Sequence, residues 1–190
     1  ASRGSIMEMG TATHAGGGAD PWVMRWLEPL GVGATVLDFA SGSGRHALAA
    51  ARRGLRVTAI DRDAQALAAM SPRIERICAD LEAGPWPLGG RRFDAIVVTN
   101  YLHRARMALL FDALAPGGRL IHATFAQGNE RFGRPRSPDF LLRPGELLER
   151  CRMAGLMVLA YEHGLRHEPA EAIVQRVCAV RPTADTAWPG

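Results

Sequence analysis

Acidic and amide side chains recur where buried apolar runs end in this chain, beside a glycine-rich turn. Asp38 and the turn Gly42-Ser43-Gly44 close the first run, and Asp61, Asp80 and Asn100 follow the next three. Glycine lets a backbone turn approach a ligand closely, and carboxylates accept hydrogen bonds from ribose hydroxyls and amino groups. These residue types in this order predict a site that binds a nucleoside.

Two classes of nucleoside ligand fit the turn. Residues 42–47 match the dinucleotide pattern G-x-G-x-x-A, and Asp61 stands 19 residues after Gly42, where an acid binds ribose hydroxyls. Asp38 favours another ligand, because a carboxylate beside the turn repels a pyrophosphate and attracts an ammonium group. S-adenosylmethionine has an ammonium group and no phosphate, so the residues favour it over a nicotinamide dinucleotide.

Alternating strand and helix patterns place these residues at one edge of a sheet. An N-cap acid followed by proline, Asp20-Pro21, predicts the start of a first helix. Five strand–helix alternations then predict an α/β, doubly wound and mostly parallel Rossmann-like sheet, which binds ligands beyond the carboxyl ends of its strands. The predicted strands are 34–39, 55–60, 73–79, 93–99 and 119–125, with helices at 45–54, 63–70 and 104–114.

The C-terminal part is predicted to complete a seven-stranded sheet. A long polar loop over 126–142 precedes a helix that begins at Pro144 and ends near Ala154. Two further strand-like runs, 156–161 and 173–180, have no helix between them. They are expected to pair as an antiparallel hairpin, because a parallel pair needs a crossover.

Composition excludes several kinds of chemistry. All 23 basic residues are arginine, so a lysine Schiff base, a P-loop lysine and a lysine general base are excluded. The net charge of +4 permits an anionic partner without requiring one. The length suits one domain, predicted at 19–182 between a flexible arm at 1–18 and a flexible tail at 183–190. We expect a cytoplasmic protein with reduced cysteines, no secretory signal and no membrane span.

Five segments together resemble the class I S-adenosylmethionine-dependent methyltransferases. They come in the family's order and cover about residues 34–126. The C-terminal stretch RPRSPDFLLRPGELLE and the paired strands look like small bacterial methyltransferases of the tellurite-resistance type. Ala40 is a mild departure, because the family usually has glycine there. The segments are VLDFASGSGRHAL (36–48), VTAID (57–61), ICADLE (77–82), FDAIVVTNYLHR (93–104) and LAPGGRLIHATF (114–125).

The resemblance implies a role in cofactor binding for residues at each strand end. The turn residues are expected to line the methionine and ribose part of S-adenosylmethionine, and Asp61 to accept from both ribose hydroxyls. Arg62 would lie beside the adenine, with Asp80 and the Leu81 backbone meeting its amino group and a ring nitrogen. Asn100 and Tyr101 would lie under the transferred methyl. The turn residues with this role are Asp38, Ala40, Gly42, Ser43 and Gly44.

His103 and Tyr101 are the candidate catalytic residues. His103 follows Asn100 by three residues and could act as a general base, although a histidine bonded to backbone at a helix start is the default interpretation. Tyr101 could contact the acceptor or pack in the core. His46 is expected on a helix surface, and His163 with His167 in a hairpin loop without a metal.

The methyl acceptor is expected to be a small molecule, and the oligomeric state stays open. Four arginines between residues 131 and 143 against two acids suggest an anion-attracting rim, with a solvated loop as the default. A nicotinamide-dependent oxidoreductase, an RNA methyltransferase and a non-catalytic cofactor-binding module remain alternatives. Nucleic acid is weakly supported, because basic and aromatic residues do not interleave.

Overall fold

Five α-helices and seven strands make up the part of the chain that the computed structural model describes, residues 17–186. Most of the predicted arm at 1–18 and the last four residues of the predicted tail lie outside it. The helices are α1 (Pro21–Leu27), α2 (Arg45–Arg52), α3 (Ala64–Ala68), α4 (Met107–Asp112) and α5 (Glu146–Met153). The strands are β1 (Thr35–Phe39), β2 (Arg56–Asp61), β3 (Glu75–Cys78), β4 (Phe93–Thr99), β5 (Leu114–Phe125), β6 (Met157–Arg166) and β7 (Ala172–Val180).

All seven strands form one sheet in the order β3-β2-β1-β4-β5-β7-β6. The first five strands are parallel, and β7 runs antiparallel to both β5 and β6. This confirms the predicted doubly wound, mostly parallel α/β sheet with a C-terminal antiparallel hairpin. The order reverses between β1 and β4, so the ends of these two strands open the crevice in which such folds bind ligands.

Helices cover both faces of the sheet. On one face, Leu37 and Phe39 of β1 pack in a core with residues of α4 and α5. On the other face, Val36 packs with residues of α1, α2 and α3. Because side chains alternate along a strand, Asp38 shares the face of Val36 and lies under α2.

Local sequence explains where the first helices begin. The Asp20 carboxylate accepts the backbone N–H of Trp22 at 2.8 Å, and Pro21 follows at the first helical position. The Asp63 carboxylate caps α3 by accepting the N–H groups of Gln65 and Ala66. Capping satisfies backbone donors that a helix start otherwise leaves without partners.

Several predicted boundaries of the later helices and strands were wrong. The helix predicted to reach Leu114 is a 3₁₀ turn at Arg104–Arg106 followed by α4, which ends at Asp112. Leu114 instead pairs with Phe93, so β5 begins five residues earlier than Arg119, with a register shift in its partner strand. The last helix begins at Glu146 rather than Pro144.

The loop at 126–142 is more ordered than its polarity indicated. It contains 3₁₀ turns at Asn129–Arg131 and Pro138–Phe140, and a bridge joins Ala126 to Leu142 at its two ends. Asn129 is buried; its amide donates to the Pro135 carbonyl and its oxygen accepts from the N–H of Ile173. Within residues 17–186, no helix is long and apolar enough to cross a membrane.

Candidate functional site

The turn after β1 is held in a left-handed backbone conformation. Ala40, Gly42 and Gly44 have φ values of 56°, 53° and 74°. A Cβ at Gly44 would lie 2.6 Å from the sulfur of Met70, so the Met70 side chain would have to shift to admit one. Ala40 adopts a conformation that glycine enters without strain, which gives the family's usual glycine a physical reason.

Asp61 ties the end of β2 to this turn. One carboxylate oxygen accepts the N–H of Gly42 at 2.8 Å, and the other accepts the N–H of Asp63 at 2.9 Å. A carboxylate offers about four acceptor positions, so both oxygens can still accept from a diol. The side chain is half-buried at the edge of the sheet.

Asp38 lies beneath the turn rather than on its surface. Its side chain is 1% exposed, and one oxygen accepts the N–H of Ala47 at 3.0 Å. Burial raises the pKa of this carboxyl to about 7, against the opposing effects of that hydrogen bond and of the Arg45 charge. The group therefore gains or loses a proton near neutral pH, and a cation placed beside it would favour the charged form.

The segment after β3 is an exposed capped turn. Asp80 accepts the N–H groups of Glu82 and Ala83 at 2.9 and 3.1 Å, which lowers the pKa of its carboxyl. Arg62 is exposed, and its carbonyl faces the Cys78 thiol at 3.6 Å. Leu81 is buried in the core, so only its backbone is available to a ligand.

The segment after β4 lies beside the crevice. Asn100 has a φ of 53°, and its N–H donates to the Ala123 carbonyl at 2.9 Å. Tyr101 is 7% exposed, and its ring meets the Phe39 ring edge-on at 5.7 Å. Burial raises the pKa of the Tyr101 hydroxyl. The ring therefore packs in the core, and a neutral hydroxyl is a poor base.

Comparisons with known proteins agree with this geometry. Residues 36–118 match a family model described as a methyltransferase domain. TehB from Haemophilus influenzae superposes with a TM-score of 0.67 at 18% identity, over 85% of this chain and 61% of that one. A Burkholderia thailandensis 1,6-didemethyltoxoflavin-N1-methyltransferase, solved with S-adenosylhomocysteine, superposes at 0.64 with 20% identity, over 86% and 77%.

The chain has the class I methyltransferase fold. A ribosomal protein L11 methyltransferase of Burkholderia mallei is 37% identical over 124 residues, which cover 60% of this chain and 41% of that protein. The chain thus spans less than half the length of this curated relative. The matched segments of the methyltransferase domain include the turn, Asp61, Asp80 and Asn100.

His103 precedes the 3₁₀ turn that follows β4. Its carbonyl accepts the N–H of Arg106, and its half-buried side chain makes no hydrogen bond within residues 17–186. The side chain is therefore free to meet an acceptor. The alternative prediction of a ring bonded to backbone has no support in this part of the chain.

The other histidines differ from expectation. His46 is buried, not on a helix surface, because its Nε2 accepts the N–H of Asp20 at 3.2 Å and joins α2 to the start of α1. Burial lowers its pKa to about 4, so the ring is neutral. His163 belongs to β6 and pairs with Gln175 instead of lying in the hairpin loop. No cluster of metal ligands occurs in the described part of the chain.

Three arginines that sequence reasoning missed surround a cleft beside Asn100. Arg45 starts α2, Arg166 ends β6, and Arg176 lies in β7. Their only sequence signal is the predicted hairpin, which brings the last two toward the end of β5. The cleft is lined by Asp20, Arg45, Thr99, Asn100, Ala123, Thr124, Arg166, Val174 and Arg176.

The loop arginines that were expected to form a rim lie elsewhere. Arg134 and Arg136 line a separate cleft with Phe140. Arg131 packs over the Phe132 ring, and Arg143 pairs with Glu146. None of them lines the cleft beside Asn100.

Proposed function

We propose that this chain is an S-adenosylmethionine-dependent methyltransferase that acts on a small molecule. The observation that carries the proposal is the contact between the Asp61 carboxylate and the Gly42 N–H. It brings the acid of β2 and the turn of β1 together at the reversal point of the sheet. A ribose diol bound to Asp61 would therefore place the rest of the cofactor along the turn.

The residues of the site fit S-adenosylmethionine better than a dinucleotide. Asp38 lies directly under the turn and becomes charged near neutral pH, which suits the ammonium group of the cofactor. A pyrophosphate at the same turn would meet this carboxyl instead of free backbone donors. The buried Ser41 hydroxyl in the turn has no hydrogen-bond partner among the described residues, as expected for a cradle that binds a polar ligand.

Each of these residues then has a part in orienting the reaction, Asn100 through its backbone. When bound, S-adenosylmethionine supplies a methyl group already activated by its sulfonium. Asp61 fixes the ribose, and Asp80 accepts from the adenine amino group. Asn100 holds the backbone of the β4 end against β5 through Ala123. The protein therefore acts mainly by aligning an acceptor lone pair with the methyl group and by excluding water.

His103 is the proposed general base for acceptors that must lose a proton. Its side chain is half-buried and makes no hydrogen bond in the described part of the chain. A thiolate or another soft anion needs no base, whereas an alcohol or a protonated amine does. His103→Gln should therefore slow transfer to a hydroxyl acceptor and leave transfer to a thiolate unchanged.

Calorimetry with S-adenosylmethionine and with the nicotinamide dinucleotides tests the cofactor. We expect S-adenosylmethionine and S-adenosylhomocysteine to bind and the dinucleotides not to bind. Asp112 is exposed and follows neither β1 nor β2, so Asp112→Asn is a control variant that should bind S-adenosylmethionine as wild type does. Dinucleotide binding without S-adenosylmethionine binding would overturn the proposal in favour of the oxidoreductase.

A ribosomal protein is the second candidate acceptor, because curated relatives are named as methyltransferases of ribosomal protein L11. The two candidates separate in one experiment with methyl-labelled S-adenosylmethionine. Purified protein is incubated with the small-molecule filtrate of a cell extract and, separately, with ribosomal proteins. Label in a filtrate compound other than S-adenosylmethionine supports a small-molecule acceptor, and label found only in ribosomal protein would replace that acceptor with a ribosomal protein.

A further inference from the structure

The cleft beside Asn100 concentrates positive charge that the described part of the protein neutralises only in part. Three of its lining side chains are guanidinium groups, and Asp20 supplies the one carboxylate. The Asp20 oxygen already accepts the Trp22 N–H as the cap of α1. Within residues 17–186, neither Arg45 nor Arg166 forms an ion pair with a carboxylate.

Arg176 has a mostly buried side chain, which is 21% exposed. It lies over the Trp22 ring at 5.6 Å and pairs on its outer side with Glu162 at 2.8 Å. Its Nε is buried and has no hydrogen-bond partner among the described residues. Buried polar groups are normally satisfied, so this donor is available to an acceptor atom of a ligand.

Arg166 is positioned from the other side of the hairpin. Its guanidinium lies over the Phe125 ring at 5.8 Å, and its Nε reaches the Ala170 carbonyl at 3.5 Å. Burial lowers its pKa, the nearby Arg176 and Arg45 charges lower it further, and Asp20 opposes them. Like charges held close together repel one another, and an anion bound between them would stabilise them.

The sheet register places this cluster next to the expected methyl position. Ala123 of β5 pairs with Arg176 on one side and with Thr99 on the other. Asn100 follows Thr99 and also bonds to Ala123. An anionic group on the arginines would therefore leave the remainder of the same molecule beside Asn100.

We propose that Arg45, Arg166 and Arg176 bind a carboxylate or phosphate group of the methyl acceptor. The acceptor is thus a small organic anion, and the arginines determine specificity for it. Arginine suits this role because its planar fork binds such groups through two parallel hydrogen bonds. The inference rests on the proposed function for the identity of the ligand as an acceptor, but anion binding is measurable without any methyl transfer.

The test titrates protein saturated with S-adenosylhomocysteine at constant ionic strength. The probes are benzoate, inorganic phosphate and benzamide, the uncharged counterpart of benzoate. We expect an anion to bind and benzamide not to bind. Tighter benzoate binding assigns a carboxylate, and tighter phosphate binding assigns a phosphate. Equal binding of benzoate and benzamide, or no binding of either anion, would overturn the proposal.

Variants locate the binding. Arg166→Gln should lower the affinity for the anion roughly 10- to 100-fold. Arg166→Lys should lower it less, since lysine keeps the charge but loses the two parallel hydrogen bonds of a guanidinium group. Arg152→Gln removes an exposed arginine of α5, outside the cleft, and should change nothing. Arg176→Gln is read only if its circular dichroism and unfolding midpoint match wild type, because it also loses Glu162 and Trp22. Equal anion affinity in Arg166→Gln and Arg152→Gln would contradict the site.

The affinity for S-adenosylmethionine separates the two proposals. If wild type and Arg166→Gln bind the cofactor equally, a loss of anion binding belongs to the acceptor cleft alone. If wild type does not bind the cofactor, the proposed function fails, and titrating the anion probes into ligand-free protein still decides the arginine site.

Discussion

Replacing Asp38 with asparagine should make the ligand-free protein more stable than wild type, and the difference should grow as the pH rises. Asp38 is 1% exposed, and burial raises the pKa of its carboxyl from 3.8 to about 7. Between these two values the folded protein holds a proton that the unfolded chain has released. The stability that this group contributes is therefore complete below the unfolded pKa and is lost as the pH rises through the folded one.

The magnitude follows from the two pKa values. The interval from 3.8 to about 7 corresponds to about 4 kcal/mol at 1.36 kcal/mol per pH unit. Asparagine keeps an oxygen that can accept the Ala47 N–H and does not ionise. The variant should thus have nearly the wild-type free energy of unfolding at pH 4 and exceed it by up to about 4 kcal/mol at pH 8.

Chemical denaturation of both proteins between pH 4 and pH 8 measures this difference. Taking the difference between variant and wild type cancels the titration of the other groups, including His46. Exposed Asp112 serves as the matched control, and Asp112→Asn should show no such trend. A difference that stays constant across the pH range would refute the reasoning that Asp38 is ionised at a cost in the folded protein. The same substitution should lower the affinity for S-adenosylmethionine, because the ammonium group of the cofactor loses the Asp38 carboxylate.

Three further substitutions test the site and its support. Asp61→Ala should weaken S-adenosylmethionine by about 1–3 kcal/mol through two lost charge-assisted hydrogen bonds; unchanged calorimetric affinity would mean that β2 does not bind the ribose. Ala40→Gly should raise the free energy of unfolding by up to about 1 kcal/mol, since the φ of 56° strains alanine. A lower free energy of unfolding in the variant, measured by chemical denaturation, would contradict this. Burial pushes the pKa of Glu146 up, but hydrogen bonds led by Arg104 outweigh it and hold it at about 2. Its stabilisation is therefore lost as the pH falls from about 4.5 toward 2. Glu146→Gln should cost about 2–3 kcal/mol, less than a fully buried pair, because Arg104 is 30% exposed; equal denaturation midpoints of variant and wild type at pH 7 would argue against this.

The position of the proposed cofactor residues Asp61, Asp80 and Asn100 at the sheet edge was predictable, because each of them directly follows a predicted strand. A parallel sheet forces the ends of its strands to one edge, so Asp61, Asp80 and Asn100 could be placed together from strand boundaries alone. Gly42 and Gly44 predicted a tight turn. What the sequence could not show is that Asp38 lies beneath that turn, since burial depends on how α2 packs over β1.

The proposed acceptor cleft was less predictable because its arginines come from distant elements. Arg45, Arg166 and Arg176 meet only after the hairpin folds against β5, and no local pattern distinguishes them from other arginines. The loop arginines drew attention through their density, yet Arg143 serves the buried Glu146 instead. Likewise, the hydrophobic pattern did not indicate that His46 is buried, with its ring accepting the backbone N–H of Asp20 at the cap of the first helix.

A crystal structure with S-adenosylhomocysteine tests the central claim most directly. The account predicts that both ribose hydroxyls lie within hydrogen-bond distance of the Asp61 carboxylate, with the amino group toward Asp38. The sulfur should face the cleft lined by Asn100 and the three arginines. A ligand whose ribose lies away from Asp61, or whose sulfur points away from that cleft, would contradict it.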